Sequence, residues 1–121
     1  MKPLKRIAWM IVVLFPLTAL AQQVHLIEMK AEDQHFIPET ITVKAGEVVK
    51  LKITAKKDEE ISKEGYVHSF AIKKLGLEFK LKEGPNQFTF VAPDKPGTYK
   101  FECTVDCGTK HDYMTGRLEV E

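Results

Sequence analysis

Tryptophan is nearly missing from this chain: among 121 residues the only one is Trp9. Cysteine is scarce too. The two present, Cys103 and Cys107, exclude a disulfide-stapled scaffold, and a bridge between them would enclose only three residues and restrict little of the unfolded chain. No charge of one sign prevails, since 18 basic residues face 17 acidic ones, so nothing argues for a nucleic-acid surface. No segment repeats its apolar residues at a helical period, and neither an internal repeat nor a low-complexity tract is found. That excludes a helical bundle and a solenoid.

Long hydrophobic runs are also lacking. The apolar stretch from Ile7 to Leu17 falls short of the roughly 20 residues that span a bilayer. It follows Lys2, Lys5 and Arg6 and precedes Ala19-Leu20-Ala21, the small residues a signal peptidase needs, so residues 1–21 read as a secretory leader cleaved after Ala21. The expected location is then the periplasm or the outside of the cell, with membrane attachment only if the leader is retained. Cleavage removes three of the 18 basic residues and none of the 17 acidic ones, taking the formal charge from +1 to −2. What remains, 22–121, is the size of one small β-sandwich and too short for two domains.

What is there is alternation. Val24 to Lys30 reads as a first strand, and Pro38, which has no N–H to give a ladder, belongs at a strand edge or turn. Val49, Leu51 and Ile53 alternate with Lys50, Lys52 and Thr54, and Leu77, Phe79 and Leu81 with Glu78, Lys80 and Lys82, the period of half-buried strands. The charge-mixed run from Lys56 to Gly65 has one apolar residue and reads as a solvated loop, with room for one helical turn. Gly84-Pro85-Asn86 and Pro93-Asp94-Lys95-Pro96-Gly97 read as turns. Tyr99, Phe101 and Cys103 share one strand face, and Leu118 and Val120 close the chain in phase with Met114 and Gly116. Short strands between turn signals predict an all-β antiparallel sandwich.

The chemistry concentrates in Cys103-Thr-Val-Asp-Cys107-Gly-Thr-Lys-His111-Asp-Tyr-Met114. Two thiols, an imidazole and a thioether in one loop form a soft donor set that suits copper or zinc and does not suit calcium or magnesium. The thioether favours copper, because zinc sites are normally closed by Cys, His or carboxylate. Each residue alone has a plainer reading, a small buried thiol or a core-filling Met. Their joint spacing overturns it. A further imidazole, His68, lies upstream in the apolar run Tyr66-Val67-His68-Ser69-Phe70, while His25 and His35 read as ordinary surface or strand histidines.

These residues resemble the binuclear CuA domain of cytochrome c oxidase subunit II. Its ligand loop reads Cys, three residues, Cys-Gly, two residues, His, two residues, Met, and all of those spacings occur here. The resemblance implies a cupredoxin-like Greek-key sandwich with two copper ions. Cys103 and Cys107 would bridge them, His68 and Met114 would complete one, and His111 with the carbonyl of Val105 the other. It also implies one-electron transfer with a redox partner such as a c-type cytochrome, and no catalysis by this chain alone. Val105 departs from the family, which usually carries Glu there beside a magnesium site, so that site is expected to be absent. With no paired membrane helices and no Trp after the leader, the expectation is a free-standing electron carrier.

Two other readings stay open. A copper storage or delivery protein could use the same donors, although oxidase assembly chaperones with a similar Cys pair have a thioredoxin-like fold and a distant His. A mononuclear blue or red copper site could use His68, Cys107, His111 and Met114, leaving the spacing of Cys103 a coincidence.

Overall fold

Alternating apolar and polar residues set the strands. The computed structural model describes residues 2–3, 8–14, 23–58, 65–105 and 114–121. Among them are β1 (Val24–Glu32), β2 (His35–Ile37), β3 (Thr40–Val43), β4 (Val48–Ala55), β5 (His68–Ile72), β6 (Leu77–Leu81), β7 (Gly84–Val91), β8 (Gly97–Glu102) and β9 (Thr115–Val120), with one 3-10 turn at Lys73–Leu75. No helix among the described residues is long and apolar enough to cross a membrane. The leader cleavage site and the helical turn expected after Lys56 fall on residues 15–22 and 59–64, outside the described ones.

The strands form two sheets, in the orders β2-β1-β4-β7 and β3-β9-β8-β5-β6. Val49, Leu51, Ile53 and Ala55 of β4 face inward and are buried, as the alternation predicts, and meet Phe70, Ile72, Leu81, Phe101 and Leu118 of the other sheet in one core. Its centre is aromatic. Phe101 lies 5.1 Å from Phe36, edge to face, and 4.7 Å from Phe70. These three rings come from β8, β2 and β5, so one contact group ties both sheets together.

Two joins depart from the antiparallel pattern expected from sequence. β1 pairs with β4 in parallel, and β3 with β9 in parallel. Period-two alternation reports which face of a strand is buried and carries no information on the direction of its neighbour, so the all-β sandwich was predictable and these joins were not. A second correction concerns Gly84, Pro85 and Asn86, which belong to β7 and pair with Ala55, Thr54 and Ile53. Pro85 is tolerated because β7 is an edge strand. The chain passes from β6 in one sheet to β7 in the other one step earlier, at Lys82 and Glu83, where the Asn86 amide donates to the carbonyls of Lys82 and Gly84 while its oxygen accepts from the Lys82 N–H.

Gly116 of β9 pairs with Phe101, whose ring lies across it. A Cβ at this position would come within 2.2 Å of that ring and 2.5 Å of the Glu39 carbonyl. Gly116→Ala should therefore displace Phe101 and cost at least about 1–3 kcal/mol, as overpacking does. Urea unfolding of the two proteins checks this, and an unchanged midpoint would mean that the ring can move aside freely.

Candidate metal centre

β8 runs antiparallel to both β5 and β9. The start of β5, the end of β8 and the start of β9 therefore lie at the same end of one sheet. His68 opens β5, Cys103 follows the last residue of β8, and Met114 precedes the first of β9. All three side chains are buried, with His68 and Met114 at 0% exposure and Cys103 at 5%. The Cys103 N–H donates to the Met114 carbonyl at 3.1 Å, continuing the β8–β9 ladder one step into the loop. The Cys103 thiol donates to the Val105 carbonyl at 3.4 Å. Of the six residues singled out in the sequence, these four are thus brought to one end of the sheet, while Cys107 and His111 lie outside the described residues. Among the described residues no group of three His, Cys, Asp or Glu side chains is placed to hold a metal ion.

The histidine shows how its ring is prepared. Nε2 lies 2.7 Å from the Lys56 carbonyl and 3.4 Å from Oδ2 of Asp58. Both are acceptors, so the neutral ring must carry its proton on Nε2, which leaves the lone pair on Nδ1. Nδ1 is inaccessible to solvent and makes no hydrogen bond among the described residues. Burial lowers the pKa of His68, but the nearby Cys103 thiol, the Lys56 carbonyl and Asp58 outweigh it and leave the value raised. The Cys103 side chain, within hydrogen-bonding reach of the ring, is the largest of these raising influences. A buried polar atom without a partner is costly in a native protein. A soft metal ion bound at Nδ1, beside a thiol and near a buried thioether, is a partner of the right chemistry, and the donor set fits it.

The neighbouring hydroxyls hold the two strands in register around this cluster, a role the sequence reading missed. The Thr104 N–H donates to Oγ of Ser69 at 2.7 Å, and the Thr104 hydroxyl donates to Glu78 at 2.7 Å. With that proton committed, the 2.7 Å contact between the two hydroxyls has Ser69 as its donor. Ser69 follows His68 and Thr104 follows Cys103, so the network locks together the residues next to two of the candidate donors. The signal was available, since His68, Cys103 and Met114 are each followed by a short hydroxyl residue. His25 and His35 stay apart from this cluster, His25 meeting Glu47 at 2.6 Å and His35 lying 3.9 Å from Glu39.

An all-β sandwich with a histidine, a cysteine and a methionine buried at one end is the class these features define. The chain belongs to the cupredoxin-like domain family, which it matches over residues 5–118. Among solved structures it is similar to a heme-copper terminal oxidase, with 22% identity and a TM-score of 0.62 over 80% of this chain and 65% of that one. Auracyanin A, a blue copper protein from Chloroflexus aurantiacus, is 23% identical with a TM-score of 0.60, over 82% of this chain and 100% of its own. The periplasmic domain of cytochrome oxidase subunit II from Bradyrhizobium japonicum is 17% identical with a TM-score of 0.59, over 80% of this chain and 83% of its own. At such identities the likeness establishes the shared fold.

Ser69→Ala should leave the Thr104 N–H without its acceptor and cost about 1–3 kcal/mol in urea unfolding. Ser69→Thr, which keeps the oxygen, should recover most of the loss. Equal stability of the alanine protein and the parent would mean that this network does not hold the loop.

Proposed function

We propose that this chain is a copper-binding electron carrier with a binuclear CuA-like centre, secreted to the periplasm after removal of residues 1–21. The observation that carries it is the solvent-inaccessible Nδ1 lone pair of His68, unpartnered among the described residues, next to the buried Cys103 and at the same end of the sheet as Met114. The binuclear form rests on the spacing of Cys103, Cys107, His111 and Met114 and on its resemblance to the oxidase loop. In this reading His68 binds through Nδ1, Cys103 and Cys107 through their sulfurs, and His111, Met114 and the Val105 carbonyl complete the set. Copper supplies one-electron redox chemistry there.

The chain's part is to keep the donors still and dry. Electron transfer is fast when little has to move between oxidation states, and the described donors sit at the ends of paired strands with their neighbours hydrogen-bonded. Val105 packs against the core beside them, and burial of His68, Cys103 and Met114 keeps water away. The partner would be another periplasmic redox protein, such as a c-type cytochrome. A mononuclear blue copper site is the second reading, favoured by the fold shared with auracyanin A.

The mature protein is expected to bind two copper ions per chain, with the optical and electron paramagnetic resonance spectra of a delocalised mixed-valence pair. Saturation at one ion with a localised spectrum would establish the mononuclear alternative. Cys103→Ser should abolish the binuclear spectrum, because a hydroxyl is a poor copper bridge, whereas Met114→Leu should keep copper and shift the reduction potential.

Carrier and delivery roles separate on a different measurement. With donors drawn from β5 and from the segment between β8 and β9, an ion would have to be released by both before it could leave, so copper loss to excess tight Cu(I) chelator should be slow and voltammetry reversible. Rapid, complete transfer with no reversible wave would assign the protein to delivery or storage.

A further inference from the structure

Asp58 lies in the charge-mixed run that composition assigns to solvent, yet its side chain is only 6% exposed. Its Oδ1 accepts the Asp33 N–H at 2.8 Å and its Oδ2 the Gln34 N–H at 2.7 Å. Those two residues form the turn between β1 and β2, with φ of 51° and 54°. Neither is glycine, so each sits in a left-handed conformation that its Cβ disfavours. Two charge-assisted hydrogen bonds from one carboxylate offset that strain.

The same carboxylate faces the metal centre. Oδ2 is 3.4 Å from Nε2 of His68, the nitrogen that also meets the Lys56 carbonyl. Lys56 is tied in turn to the end of β1 by its N–H, which donates to the Ala31 carbonyl at 2.9 Å. One short segment, Lys56 to Asp58, is thus fastened to the β1–β2 hairpin at both ends and presents two oxygens to one ring nitrogen. A residue needed only to cap the turn has no reason to place an oxygen there. Histidines that bind metals through one nitrogen commonly rest the other on a carboxylate or carbonyl, which fixes the tautomer and raises the basicity of the ligand.

We infer that Asp58 is a positioning residue of this centre, holding the β1–β2 turn against His68 so that the ring keeps its proton on Nε2 and offers Nδ1 to the metal. The assignment rests on the reading of His68 as a copper ligand. It adds a residue 10 positions upstream, outside the loop and the strand that carry the donors.

The test is Asp58→Asn, made alone and with Asp33→Gly. The glycine relieves the exposed turn residue of its positive φ without touching His68, and so restores stability lost through the turn. In the metal-free mature protein, long-range ¹H–¹⁵N correlations should show His68 as the Nε2–H tautomer. In both Asp58→Asn proteins the Nε2–H should exchange with solvent faster, and the Nδ1–H tautomer should become visible. With copper alone as the probe, affinity should fall by roughly 10–100-fold, and the reduction potential should rise, in the double variant as in the single one. If Asp33→Gly restores stability together with the parent affinity and potential, Asp58 is a turn cap and the inference is overturned. An unchanged tautomer and exchange rate in the metal-free Asp58→Asn protein overturns it as well. A parent protein that takes up no copper, with its His68 tautomer still dependent on Asp58, would instead refute the metal centre and leave Asp58 orienting the ring for another purpose.

Discussion

The backbone hydrogen bond from Cys103 to Met114 is the constraint on which the site depends. Among the described residues it is the last rung of the β8–β9 ladder, and it sets the separation of Cys103 and Met114 before any ligand is considered. Beneath it Phe101 packs over Gly116, so the strands cannot slide without disturbing the aromatic centre of the core. Above it the donors inherit the rigidity of the sheet. A loop with the same residues on a mobile support would have the chemistry and lack the fixed geometry.

Around that rung the protein accepts an unfavourable arrangement. An imidazole with no exposure and an unpartnered nitrogen among the described residues costs stability, as does a turn of two non-glycine residues at positive φ. Both costs meet at Asp58, whose carboxylate answers the turn directly and the imidazole from its far side. Local rules fail at this one place together. Such concentrated violations are expected where a site's chemistry takes priority over foldability.

Much of this was legible in the sequence. Alternation in β4, β6 and β8 identified the buried faces, and Cys103 and Met114 lie together because they flank a loop whose flanking strands were visible, while Cys107 and His111 fall outside the described residues. The directions of β1 and β3 were not, because a strand's apolar face is the same whichever way its neighbour runs. Gly84-Pro85-Asn86 was misread as a turn because turn-forming residues also serve at the start of an edge strand. Asp58 was hidden for a stronger reason. Its partners lie 24 and 25 residues away in a turn whose own sequence, Asp33-Gln34, carries none of the usual glycine signal. Ser69 and Thr104 were readable in position but not in role, since their partners across the strands, Thr104 and Glu78, are 35 and 26 residues away in sequence.

The parallel join of β3 to β9 has a consequence in time. It pairs Thr40 with Arg117, so the C-terminal strand is held by a segment made long before it, and the contact forms only after a large loop has closed. Chains dominated by such distant pairings fold slowly. Cys103 and Met114 are fixed to each other by that same late strand, whereas His68 belongs to an earlier hairpin with β6. Copper offered to the nascent chain would meet scattered thiols and imidazoles, open to oxidation and to the wrong metal. On the proposed reading of this end as a copper centre, that order of assembly would place metal uptake after the sandwich has closed.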